Sequence, residues 1–142
     1  MGTSTDAILY FGFDLGSEED LDAPWIEEDM EVDAFIAAKW GVVEPNGPFT
    51  GNEAAYREYW EKEKSIIDRL DCHVDIHCSS NYYCYFVAIK SKTLTARRGY
   101  PESFDKSFLD VSKEDIDKLK RYCELAEITW EDPSWAIASY WG

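Results

Sequence analysis

No run of about 18 apolar residues occurs in the chain, so no membrane-spanning helix is expected. The first residues, Met1-Gly2-Thr3-Ser4-Thr5-Asp6, have no basic region and no long apolar stretch, which argues against a secretory leader. Asp6 also breaks the myristoylation pattern, which asks for Ser or Thr there. The expected location is the cytoplasm. Bases are scarce, with 14 Lys and Arg against 29 Asp and Glu and a net charge of −15. Such a surface repels phosphate, so direct nucleic-acid binding and anionic membranes are poor fits. Cys72, Cys78, Cys84 and Cys123 include no C-x-x-C pair, so neither a zinc ribbon nor a thioredoxin-type motif is supported. Reduced thiols acting as small buried hydrophobes are the expectation. Glycine-rich phosphate loops, HExxH and GxSxG are absent too, so no cofactor is expected and no catalytic residue can be named.

What is present is apolar bulk. Hydrophobic residues make up 45% and aromatics 15% of 142 residues, which supports a packed core rather than a disordered acidic tail. The length fits a single domain, 1–142. Charge is unevenly spread: residues 1–71 carry 18 acids and 5 bases, residues 72–142 carry 11 and 9. Ser17–Asp33 is the extreme, with nine acids and no base.

The apolar run Ala7–Phe13 predicts a buried strand, and the acidic stretch around Pro24 a loop with Trp25 and Ile26 tucked back. Asp29 is placed to cap a helix over Met30–Trp40. Thr50-Gly51-Asn52-Glu53 matches a capping box opening a helix to Leu70, with Tyr56, Tyr59, Trp60, Ile66, Ile67 and Leu70 as its buried face. Cys72, Val74, Ile76 and Cys78 alternate with His73, Asp75 and His77, a strand with the first set toward the core. Cys84–Lys90 and Thr93–Arg97 read as two further strands around a tight turn at Ser91-Lys92. Ser112 opens another helix, with Asp115 at its third position and a Val111–Ile116 staple. Trp135–Trp141 reads as a C-terminal strand, since two Trp and a Tyr left in water would forfeit several kcal/mol. The order β-α-α-β-β-β-α-β predicts an α+β fold, a mostly antiparallel sheet with helices packed on one face.

Three constellations invite chemistry. His73, Asp75 and His77 share a strand face, but His73 and His77 would lie about 13 Å apart at Cα, too far for one metal. Cys78 and Cys84 fall on either side of a predicted hairpin connection, Ser79–Tyr83, where they could touch. A Cys–His dyad is not expected, because neighbours along a strand face opposite ways. Arg97-Arg98 beside Gly99-Tyr100 is the one compact basic spot, a candidate anion site or an internal counterweight to the 17–33 segment. Carboxylate pairs recur by abundance alone, and Ser17–Asp33 lacks the ligand order of an EF-hand loop.

Three segments carry a resemblance: Thr3–Gly16 (TSTDAILYFGFDLG), Ala96–Ser103 (ARRGYPES) and Pro133–Gly142 (PSWAIASYWG). Together they look like small, uncharacterised accessory proteins of tailed bacteriophages. That resemblance implies a setting inside an infected bacterium, and no activity or site residue. The expectation is a non-enzymatic interaction protein engaged in host takeover. Glu18, Glu19, Asp20, Asp22, Glu27, Glu28 and Asp29 would meet a basic surface of a host or phage protein, with Trp25 as an anchor if exposed. Carboxylates standing in for phosphates would make it an inhibitor or nucleic-acid mimic. The alternatives are a small ligand- or metal-binding domain or enzyme, with a cleft near His73, Asp75, His77 and Arg97, and a structural, self-associating protein. The oligomeric state is left open.

Overall fold

A computed structural model describes residues 5–142. Met1–Ser4, on which the readings against a leader and myristoylation rest in part, lie outside the described residues. Four strands form one mixed sheet that closes on itself: β1 (Thr5–Ser17), β2 (Cys72–Ser79), β3 (Tyr83–Arg97) and β4 (Ser134–Trp141), in the order β1-β3-β2-β4. β1 is the hub. It runs antiparallel to β3, from Asp6↔Arg97 to Ser17↔Cys84, and antiparallel to β4, from Thr5↔Trp141 to Gly12↔Ser134. β2 pairs antiparallel with β3. It meets β4 in parallel at Cys78↔Tyr140 and Ser79↔Trp141, which completes the barrel.

Four helices complete the α+β architecture: α1 (Pro24–Glu27), α2 (Val32–Ala38), α3 (Glu53–Leu70) and α4 (Lys113–Leu125). Their apolar residues gather on the outer face of the sheet, where Trp25, Ile36, Ile67, Leu119 and Tyr122 pack with Phe11, Phe13, Val87 and Ile89. Inside the barrel lies a second, smaller core of Ile8, Tyr10, Phe86 and Ala88. Tyr10 stacks on Phe86 with ring centroids 4.2 Å apart, and Ala136 and Ala138 pack against the pair. The alternation of β1 divides these cores, because Ile8 and Tyr10 point in while Phe11 and Phe13 point out. No helix among the described residues is long and apolar enough to cross a membrane.

Several local expectations change. Cys84–Lys90 and Thr93–Arg97 are one long strand, with no turn at Ser91-Lys92. β1 is 13 residues long and pairs along both halves of β3, so the bend is absorbed as a register shift between Tyr10 and Gly12. Asp71 holds the bend from outside, accepting from Ser91 N (3.1 Å). The stretch around Pro24 contains a turn of helix, with proline in its first turn, where its missing N–H leaves no bond unmade. Asp29 does not cap α2: it takes a left-handed φ of 51°, and the helix starts at Val32 with Glu31 as its N-cap. The Thr50–Glu53 box does not form either. Gly51 at φ 93° turns the chain so that Asn52 becomes the N-cap, and its side chain bonds back to Pro48 O. Trp60, expected in the buried face of α3, is 49% exposed and stacks on Phe49. Ile116 is exposed as well, so the expected staple with Val111 contributes little burial. The Ser112 box is present: Asp115 N donates to Ser112 Oγ at 3.2 Å, and Ser112 N to Asp115 Oδ2 at 3.0 Å.

Gly12 sits where β1 and β3 approach most closely. A Cβ there would lie 1.9 Å from Val87 O and 2.8 Å from Ala88 Cα, both backbone. Gly12→Ala is therefore expected to destabilise the fold by about 3 kcal/mol or more, at the upper end for overpacked sites, measured by urea unfolding. Ser112→Ala should cost about 1 kcal/mol in the same assay by loss of the cap.

Candidate functional site

The acidic segment is fixed to the body by its apolar members. Trp25 is 3% exposed, and its indole Nε1 donates to Ala126 O at 2.9 Å. It meets Tyr85 edge-on at 6.3 Å. Trp25 is tucked back as expected, so the exposure on which its role as an anchor depended is absent: the indole finds both apolar cover and a carbonyl in the core. Leu21, Ile26 and Met30 pack against the same core. With these held down, Glu18, Glu19, Asp20, Asp22, Glu27, Glu28 and Asp29 are all exposed. Two of them also do local work. Asp20 accepts from Ser17 N (3.2 Å) and Ser17 Oγ (3.1 Å), closing the turn after β1. Glu18 accepts from Tyr85 OH at 3.0 Å, and burial together with that carboxylate pushes the phenol up to about 12.

Between this segment and the β2–β3 hairpin lies an open cleft of about 400 Å³. Glu18, Asp29, Glu31 and Asp75 contribute carboxylates to its lining, Tyr83 and Tyr85 contribute rings, and no Lys or Arg lines it. Among the described residues, none of the nine carboxylates of Ser17–Asp33 forms an ion pair. The lysines that do pair bind Glu58, Asp68, Asp71, Asp115 and Glu127. Inside the segment, burial and the nearby Glu63 hold the Asp33 carboxyl above its usual value.

Arg97 and Arg98 do come together, lining an open groove of about 500 Å³ with Asp6 and Tyr100. They do not balance the 17–33 segment. Arg97 pairs in register with Asp6, whereas Ser17 pairs with Cys84 at the other end of the same ladder. Asp6 also puts a carboxylate into the wall of the groove, which weakens it as an anion site.

His73, Asp75, His77 and Arg97 do not form one cleft. The two imidazoles flank Phe86 at 5.9 and 6.1 Å between ring centroids. His73 Nε2 meets Thr93 Oγ1 at 3.1 Å, and His77 Nε2 meets Asp14 Oδ1 at 2.7 Å. Asp75 turns aside to accept from Ile76 N and joins the acidic cleft. Among the described residues, no group of three or more His, Cys, Asp or Glu side chains could hold a metal ion. The cleft residues that sequence reasoning missed are Glu31, Tyr83 and Tyr85. Glu31 lies within the acidic Ser17–Asp33 segment, which composition already marks, whereas Tyr83 and Tyr85 come beside that segment only through the pairing of β2 with β3. No known protein family, curated protein or solved structure matches the chain.

Burial holds the His73 imidazole below its ordinary value. The unfolded chain therefore binds a proton more readily at this site, and stability falls as pH drops through the unfolded value of about 6.5 toward the folded one. His73→Gln should flatten this dependence. The stability lost between pH 7.5 and 5.5, by urea unfolding, should be smaller for the variant than for the natural protein.

Proposed function

We propose that the protein is a non-enzymatic interaction protein whose 17–33 segment and adjoining cleft bind a basic surface of a partner protein. The observation that carries this reading is that, among the described residues, no carboxylate of the segment forms an ion pair, beside a concavity to which four carboxylates contribute. Carboxylates without a Lys or Arg partner keep their full field, which speeds encounter with a cationic surface and makes association fall with salt. Tyr83, 44% exposed at the rim, offers a ring face on which a guanidinium can stack. In the bacteriophage setting that the resemblance implies, the partner is a host or phage protein in the host cytoplasm whose basic groove ordinarily takes phosphate. The protein would then act as an inhibitor, its carboxylates spaced in place of a nucleic-acid backbone.

Binding to a synthetic arginine-rich peptide, followed by calorimetry at low and high salt, tests the reading. The triple variant Glu18→Gln/Asp29→Asn/Glu31→Gln should weaken binding at least about tenfold, or about 1.4 kcal/mol. Glu102→Gln/Glu114→Gln/Asp117→Asn removes the same charge elsewhere and should change affinity less than about twofold. Equal losses in the two triples would mean that binding follows net charge alone, and the proposal would fail.

A further inference from the structure

Two of the four cysteines stay outside the packed core. Cys72 and Cys123 are buried, and burial pushes both thiols up to about 12, where they are inert. Cys78 is exposed and Cys84 half-buried, both at the tip of the β2–β3 hairpin. There His77 pairs with Cys84 and Cys78 with Tyr83, so the two cysteines lie one step apart diagonally across the ladder. A step of about 3.4 Å and a strand separation of about 4.5–5.5 Å put their Cα atoms about 6 Å apart. That falls inside the window of about 4.4–6.8 Å in which a disulfide closes without moving backbone.

Strict alternation would still send the two thiols to opposite faces. Cys78 departs from it, with a φ of 77° in the left-handed region that residues with a Cβ rarely adopt. The Cys78 side chain is near enough to help hold the Cys84 thiol up. The backbone outlier at Cys78 thus falls where an exposed thiol lies diagonally across the ladder from a half-buried one.

We propose that Cys78 and Cys84 are a redox-active dithiol that closes reversibly into an intramolecular disulfide on meeting a low-molecular-weight disulfide such as oxidised glutathione. Cys78, the exposed member, attacks as its thiolate one sulfur of the glutathione disulfide. A mixed disulfide forms and one glutathione thiolate leaves. Cys84 then gives up its proton and attacks the Cys78 sulfur, expelling the second glutathione thiolate. The two departing thiolates take up the two protons released, so two cysteines are oxidised while one glutathione disulfide becomes two thiols. Burial, the Cys78 side chain and the carboxylates of Asp14 and Asp20 hold the Cys84 thiol up, which suits it to the second, resolving step. The bond would close a loop over Ser79–Tyr83, beside the point where β2 meets β4.

Incubation of the folded protein with oxidised glutathione, then denaturation, alkylation and intact mass measurement, tests this. The natural chain should stay monomeric, lose two hydrogens and keep two alkylatable thiols. A peptide map should join Cys78 to Cys84, and dithiothreitol should restore all four thiols. Cys84→Ser should instead stop with one glutathione on Cys78, and Cys78→Ser should react at least about tenfold more slowly. Four alkylatable thiols, a stable mixed disulfide on the natural chain, or a bond joining any other pair or two chains would overturn the proposal. The measurement on the natural chain decides the matter without any variant having to fold.

Discussion

The indole of Trp25 is the constraint on which the acidic surface depends. Nine carboxylates in one short segment have no reason of their own to lie against a protein. A pair of exposed carboxylates about 10 Å apart repels by about 0.4 kcal/mol before salt screening. Much of that repulsion is present in the unfolded segment too, where the same charges are neighbours along the chain. Burying a tryptophan removes about 150–250 Å² from water, which is worth about 4–6 kcal/mol. The bond from Nε1 to Ala126 O removes the penalty for burying its N–H. Burial at one residue therefore outweighs the added repulsion, and the carboxylates follow the backbone to the surface.

The two faces of the sheet do different work, and the division sets the surroundings of the two histidines. The outer face meets the helices and holds the larger core. The inner face closes on Tyr10 and Phe86, with alanines opposite, which leaves the barrel filled by its own side chains. His73 and His77 belong to that inner face and each takes a single polar partner, Thr93 or Asp14. With Phe86 between the rings and separate partners on each side, neither imidazole has a second titratable group aimed at a shared substrate position.

Legibility in the sequence followed how local each determinant is. α4 could be read because its cap, its first-turn acids and its apolar period coincide within one stretch. The start of α3 could not, since Gly51 redirects the chain through a backbone angle that the Thr50–Glu53 pattern does not encode. β3 was divided in two on a local turn signal, whereas its continuity comes from β1, a partner some 80 residues away in sequence. Trp25 stands among acids, and its partner Ala126 is 101 residues away. The charge of the candidate site was plain from composition. Its concavity was not, because Tyr83 and Tyr85 join the acids only through the pairing of β2 with β3.

The remaining charges sharpen the contrast. Two lysines join elements: Lys118 binds Asp71 at 2.9 Å, tying α4 to the residue that closes α3, and Lys39 binds Glu127 at 3.2 Å, tying α2 to the end of α4. Asp71 illustrates the balance, for burial alone would raise its carboxyl, yet Ser91 and Lys118 together hold it below its usual value. A surface built only for solubility needs charges dispersed over convex ground, where each is hydrated independently. Four carboxylates around one concavity, with tyrosine rings in its wall, form an arrangement that hydration does not require. Placing them together raises mutual repulsion, and a cationic side chain entering the cleft relieves it. The same physics that leaves this segment without an ion pair among the described residues would thus set the sign, and the salt dependence, of anything docking there.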